Sequence, residues 1–232
     1  MTVHVVQHTA GEYLGLVEDH LEGRGVRFRY WRPFAGGRAL PAPEALEDGL
    51  VLLGGGPWGS AGTRDLPTLA AEVALARACL EQGKPVLGFG LGAQILALAA
   101  GGSAEPAPLA FAVLAVRRVS PDALDGFLPE AFPLAIYMRD RALPPPQAEI
   151  LGVDEENRPA VWQIGARAFG FAGHPGVKLG MVEDLILEFD EVPQGYRATL
   201  DRLRAVQRSI EDALVPIMTG VVAATGWMRA PG

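Results

Sequence analysis

The sequence predicts an α/β protein built on a doubly wound, mostly parallel sheet with a C-terminal helical extension. Three observations predict it. Short apolar runs without polar alternation recur between amphipathic helical segments, the pattern of strands buried on both faces. Those runs end in glycine-rich turns, where backbone can approach backbone closely. Beyond Phe111 the texture changes to closely spaced short strands, and beyond Pro193 and Gly195 to one long amphipathic stretch.

In order along the chain, Val3 to Gln7 is a β-branched strand. Gly11 to Arg24 carries Tyr13, Leu14, Val17 and Leu21 at helical spacing, with Gly25 as a stop. Val26 to Trp31 reads as a second strand. Gly49 to Leu53 reads as a third and runs into Gly54-Gly55-Gly56-Pro57. Leu66 to Gln82 is a helix stopped by Gly83, and Pro85 to Phe89 is a strand buried on both faces. Ile95 to Ala100 continues as an apolar helix. Short strands follow at Phe111 to Val119, Phe132 to Tyr137, Glu149 to Val153, Ala160 to Ile164 and Ala168 to Phe171. Gly180 to Phe189 is helical. The final stretch from Tyr196 places Leu200, Leu203, Val206, Ile210, Leu214 and Ile217 on one face. Gly36 to Leu46 and Pro144-Pro145-Pro146 are the looser segments. The expected division is a domain over residues 1–190 and a helical extension over 191–232.

Composition narrows the function. The 232 residues are 49% hydrophobic and 20% charged, enough to bury a sizeable core. A net charge of -7 argues against a nucleic-acid surface, which needs a basic patch. The single cysteine, Cys79, rules out an internal disulfide and suits a cytoplasmic protein. Met1 to Gln7 lacks the basic and apolar regions of a signal peptide. Pro85 to Ser103 is uncharged but holds Gln94 and five glycines, and Ala213 to Met228 is short of the roughly 20 residues a span needs. No membrane association is expected.

Four separated motifs carry a family resemblance. Gly54-Gly55-Gly56-Pro57 follows an apolar strand. Gly88-Phe89-Gly90-Leu91-Gly92-Ala93-Gln94 joins a strand to a helix. Tyr137-Met138-Arg139-Asp140 precedes Pro144 and the strand at Glu149. Phe169-Gly170-Phe171-Ala172-Gly173-His174-Pro175-Gly176 closes the set. In this order they resemble the class I glutamine amidotransferases, flavodoxin-like in fold, with a similarity to the stand-alone, GMP-synthase-glutaminase-like branch. The similarity covers roughly residues 1–190. In that family a cysteine in Gly-x-Cys-x-Gly-x-Gln attacks the glutamine amide, a histidine takes its proton and a glutamate orients the histidine. The ammonia passes to a synthetase site.

This chain departs from that pattern at the chemistry. The nucleophile position is Gly90. The base position keeps His174, and the orienter position is Gly176. Met138 and Ala172 replace the family's other common histidine and glutamine. The resemblance places oxyanion donors at Leu91 and the Gly55-Gly56 loop, with Gln94 as a pocket residue. Glycine at position 90 relieves the strained backbone of a nucleophile elbow. Loss of a triad nucleophile costs on the order of 10^6 in turnover. The resemblance therefore implies a glutamine amidotransferase-like protein inactive as a glutaminase. It would serve as a scaffold, a regulatory subunit or a binder of a small amino-acid-like ligand. A second reading keeps an enzyme of altered chemistry, with His174 as general base on water and Asp140 as a contributor.

The remaining candidates carry less. Cys79 reads as a buried structural thiol and His8 as a strand-end structural residue. No metal-ligand spacing is present, and the Gly54 to Gly59 loop lacks the lysine of a phosphate loop, so neither metal nor cofactor is expected. Asp184, Glu188, Asp190 and Glu191 read as a solvated acidic face. A synthetase or other protein partner follows from the family. The C-terminal stripe, with Trp227 and Met228 at its end, packs either within the chain or into a second copy.

Overall fold

The computed structural model describes residues 1–35, 39–46 and 48–227. A nine-stranded sheet runs in the order β2-β1-β3-β4-β11-β10-β9-β6-β7. Its first half is parallel: β2 (Arg27–Trp31), β1 (Thr2–Val6), β3 (Leu50–Leu52), β4 (Val86–Phe89) and β11 (Ala168–Phe171). Its second half is antiparallel: β10 (Pro159–Ile164), β9 (Glu149–Val153), β6 (Ala110–Arg118) and β7 (Ala131–Met138). The central strands β3, β4 and β11 are wholly buried, which explains their unbroken apolar character.

Helices cover both faces. On one, α1 (Leu16–Glu22) and the C-terminal half of α5 (Tyr196–Thr225) pack Val17, Leu21, Leu214, Ile217 and Val221 against Val51, Leu87, Phe89, Phe169 and Phe171. On the other, α2 (Leu69–Glu81) and α3 (Leu91–Ala99) pack Leu75, Cys79, Leu91 and Ile95 against Leu50, Leu52 and Val86. A third apolar cluster joins α4 (Leu179–Glu188), Leu203 and Ile210 of α5, and Phe111, Val113, Ala135 and Tyr137 of β6 and β7. The long helix thus contributes to two core clusters. Trp227 is buried beyond its end and donates its Nε1–H to the Asp48 carbonyl at 2.7 Å. Met228 lies outside the described residues, as does part of the Gly36 to Leu46 segment.

Three local readings change. The first helix begins at Leu16, not Gly11. The backbone before it bonds elsewhere: Glu12 N–H to Thr9 Oγ1, Leu14 N–H to the Tyr30 hydroxyl, and Gly15 at φ 60° turns the chain. A small antiparallel pair, β5 (Ser103–Glu105) with β8 (Arg141–Leu143), was not expected because three-residue strands carry no period. The acidic residues at the end of α4 are not merely solvated. Glu188 accepts from the N–H groups of Ala10 and Gly11, and Glu191 pairs with Arg64 and Arg139. Among the described residues, no helix is long and apolar enough to cross a membrane.

Candidate functional site

The four motifs converge at the C-terminal ends of β3, β4, β7 and β11, where a doubly wound sheet opens toward ligands. Gly90 sits between β4 and α3 at φ 55°, ψ −114°, a conformation side chains rarely adopt. The turn is tight because helix meets strand without side chains between them. A Cβ at Gly88 would strike the Gly92 carbonyl, and one at Gly92 the Leu52 carbonyl. At Gly90 there is room. A Cβ there would meet only the Gly54 Cα, at an ordinary 3.6 Å. The elbow keeps its shape and the space for a side chain.

His174 follows β11 and is held by its backbone N–H on the Ala135 carbonyl at 2.9 Å. Its ring is buried beside Phe89, with centroids 5.1 Å apart. Nε2 lies 2.7 Å from the Tyr13 carbonyl, and Nδ1 accepts the Gly176 N–H at 3.1 Å. A carbonyl can only accept, so the proton sits on Nε2. Both ring nitrogens are therefore occupied by backbone. Burial lowers the pKa from 6.5 to about 4, against the weaker opposing pull of the Tyr13 carbonyl.

Gly176 leaves no space for an orienting carboxylate. A Cβ there would lie 2.8 Å from Val17 Cγ2 and 2.9 Å from the Val17 backbone nitrogen. The Gly176 carbonyl also accepts the Leu16 N–H at 2.8 Å, which fastens the start of α1 to this turn.

The Gly-Gly-Gly-Pro loop is occupied by a residue that sequence reasoning missed. Glu12 is buried against Gly54, where any Cβ would overlap its carboxyl, and its Oε2 accepts the Gly56 N–H at 3.1 Å. Burial raises its pKa from 4.5 to about 7; the Gly56 hydrogen bond opposes this. The side chain of Leu91 covers Gly55, and Phe189 lies over Gly56. Leu91 itself opens α3, where the first N–H groups have no intrahelical acceptor. Below the loop, His8 donates Nδ1–H to the Gly54 carbonyl at 2.9 Å and Nε2–H to Glu72 at 2.7 Å. Both partners accept, so the ring is an imidazolium buried in an ion pair with Glu72. Burial alone would lower the His8 pKa, but the Glu72 charge and hydrogen bond raise it. Thr68 completes the network by donating to Glu72 at 2.6 Å.

Gln94 and Asp140 join the loops to one another. Gln94 Oε1 accepts from Ser60 at 2.6 Å and Nε2 donates to the Arg139 carbonyl at 2.7 Å. The buried Asp140 carboxylate accepts three backbone N–H groups, from Ser60, Ala61 and Ala107. Cys79 is buried on α2, its thiol pushed up to about 11 by burial.

Two cavities flank this arrangement. Gly90 lines one, together with Ile136, Met138, Trp162 and Ala172. His174 lines the second, a narrow gap, together with Glu12, Tyr137 and Met181. The structure thus brings Gly55, Gly56, Gly90, Leu91 and Gln94 around the elbow and sets His174 and Gly176 against α1. Among the described residues, no cluster of His, Cys, Asp and Glu could hold a metal ion.

Comparison with known proteins places this geometry. Residues 58–107 match the family model for Peptidase C26. The chain is 31% identical over 199 residues to a glutamine-hydrolysing GMP synthase of Aeropyrum pernix, covering 82% of this chain and 36% of that protein. It therefore spans about a third of that relative's length. The fold is that of a glutamine amidotransferase from Methylobacillus flagellatus, with a TM-score of 0.76 at 22% identity over 100% of this chain and 96% of that one. A glutamine amidotransferase from Thermotoga maritima gives a TM-score of 0.79 at 22% identity over 97% and 98%. With the elbow, the Gly-Gly-Gly-Pro loop and the retained His174 all at the same sheet edge, this chain belongs to the class I glutamine amidotransferase-like family.

Proposed function

We propose that the chain is a non-catalytic member of its family that uses the preserved elbow as a binding and scaffolding element. The observation that carries the reading is the His174 ring, whose two nitrogens are both bonded to backbone. A general base needs a free lone pair within reach of the proton it takes. Here the only lone pair, on Nδ1, already accepts the Gly176 N–H. The absence of any side chain at Gly90, the closed space at Gly176 and the Glu12 carboxyl on the Gly56 N–H support the same conclusion from three other directions. The altered-chemistry reading, with His174 as base on water, gains no support from this geometry. Asp140 gives it none either, since its carboxylate is spent on backbone N–H groups.

The relative matched by this chain is a glutamine-hydrolysing synthase, and the match covers 36% of it. A synthetase-type protein is accordingly the partner class we assign, with this chain as its regulatory or ligand-binding subunit. Residues 1–190 and 191–232 would act as one piece, since α5 shares the core clusters of the sheet. The reading is tested by glutamate and ammonia release from glutamine, measured for the purified protein alone and with cell extract. None is expected in either case. Release that disappears on His174→Ala would overturn it.

A further inference from the structure

We propose that residues 9–15 form an autoinhibitory strap, which holds the Glu12 carboxyl as a plug on the Gly56 N–H and is itself latched by Glu188 at the end of α4. The inference rests on the non-catalytic reading above and gives the regulation of the same site.

Three observations lead to it. The Glu12 carboxyl fills the loop from within: a Cβ at Gly54 would overlap it, and its Oε2 takes the Gly56 N–H at 3.1 Å. That loop lies beside the empty elbow, since a Cβ on Gly90 would meet Gly54 Cα at 3.6 Å. Next, the strap is tied along its length. The Glu188 carboxylate accepts the N–H groups of Ala10 and Gly11 at 2.9 and 2.8 Å. Thr9 Oγ1 accepts the N–H of Glu12, the Tyr30 hydroxyl accepts that of Leu14, and His174 donates to the Tyr13 carbonyl. Gly11 lets the strap lie directly on α4, because a Cβ there would stand 3.0 Å from the Leu185 backbone nitrogen. Last, the plugged state is opposed by the chemistry of its own side chain. A loop glutamate ordinarily reaches into water, and here burial disfavours its charged form. The ties of the strap offset that cost, and the pair made by Glu188 is the tie at the surface. Without it the balance moves toward an open strap, with Glu12 in water and the Gly56 N–H bare. The carbonyl of an uncharged molecule can then take the place of the carboxyl. Its apparent affinity rises with the fraction of time the strap is open. A glutamate that merely supported the loop would leave no such site behind.

The test follows the Gly56 amide in ¹H–¹⁵N spectra of the whole protein, by hydrogen exchange and by titration with acetamide. Acetamide matches in size the methylene and carboxyl that Glu12→Ala removes. It is expected to shift the Gly56 signal saturably in Glu12→Ala, and to move it far less in the native protein and in Glu12→Gln, whose amide fills the same place. Glu188→Ala, at an exposed position, keeps the fold and loosens the strap. It should speed exchange at Gly56 roughly fivefold, strengthen acetamide binding over the native protein by a similar factor, and leave exchange in β4 unchanged. A folded Glu12→Ala that does not bind acetamide, a native protein that binds it as well as Glu12→Ala does, or an unchanged Gly56 exchange rate in Glu188→Ala would each overturn the proposal. Where Glu12→Ala fails to fold, Glu188→Ala decides by itself through the exchange rate and the acetamide titration. Glutamate release from glutamine by the native protein would instead overturn the non-catalytic reading, whichever way acetamide binds.

Discussion

Nε2 of His174 lies 2.7 Å from the carbonyl oxygen of Tyr13, and that bond determines which ring nitrogen carries the proton. Tyr13 stands in the loop before α1, so the histidine that the family uses as a base here fastens that loop to the turn after β11. The prediction is direct. Long-range ¹H–¹⁵N spectra should show the Nε2–H tautomer, and the ring should stay neutral down to about pH 4, because burial disfavours its charged form. Titration near 6.5 would mean that the ring is solvated and free.

Glu12 provides the second prediction, through its raised pKa. The folded-state value of about 7 lies above the ordinary 4.5, so the folded chain holds this proton where the unfolded chain has released it. Its contribution to stability is fully present below about pH 4.5 and is lost as pH rises through 7, by about 3 kcal/mol. Glu12→Gln keeps an acceptor for the Gly56 N–H and cannot ionise. Urea unfolding should show Glu12→Gln gaining on the native protein by about 3 kcal/mol between pH 4.5 and 8. A difference that does not vary with pH would contradict a buried, protonatable Glu12. His174 acts in the opposite sense. Its lowered pKa makes the folded state lose stability as pH falls from 6.5 to about 4, so the acid limb of Glu12→Gln should be steeper than that of the native chain.

Gly176 provides the third. Its missing side chain is a packing requirement, since α1 approaches through Val17 to within 2.8 Å of where a Cβ would stand. Gly176→Ala should cost about 1–3 kcal/mol in urea unfolding. Val17→Ala in the same chain should recover only part of it, because the Val17 backbone nitrogen at 2.9 Å remains. Full tolerance of alanine, or a soluble and stable Gly176→Glu, would show that α1 can move aside and that the orienter's place is still open.

The fold was readable because its central strands are buried on both faces. Val86-Leu87 and Leu50-Val51-Leu52 declare themselves as apolar runs, and the glycines at 88 and 92 mark a helix that lies directly on a strand. Local pattern failed where backbone bonds were satisfied at long range. Gly11 to Gly15 has helical spacing but gives its N–H groups to Thr9, Tyr30 and Glu188, and the pair Ser103–Glu105 with Arg141–Leu143 is too short to show a period. At the site, Gly90, His174 and Gly176 could be located by motif. What surrounds them could not. The Tyr13 carbonyl, Val17 and the Glu12 carboxyl reach the site from more than 40 residues away in sequence, and a glutamate in a loop has no signature that foretells its burial. Gln94 and Asp140 carry the opposite lesson. Their motif positions suggested pocket chemistry, yet their polar atoms bind neighbouring loops.

The most direct test of the whole account is glutamate release by Gly90→Cys beside the native protein. The elbow has room for the side chain, with a contact of 3.6 Å to Gly54 Cα, and the backbone strain at φ 55° should cost about 1–3 kcal/mol, leaving a folded protein with a thiol that small alkylating reagents can reach. With the lone pair of His174 held by the Gly176 N–H, no carboxylate at position 176 and Glu12 on the Gly56 N–H, we predict that neither protein hydrolyses glutamine. Turnover by Gly90→Cys that is lost again in Gly90→Cys, His174→Ala would contradict the account, because it would mean that the histidine leaves its backbone partners to act as a base.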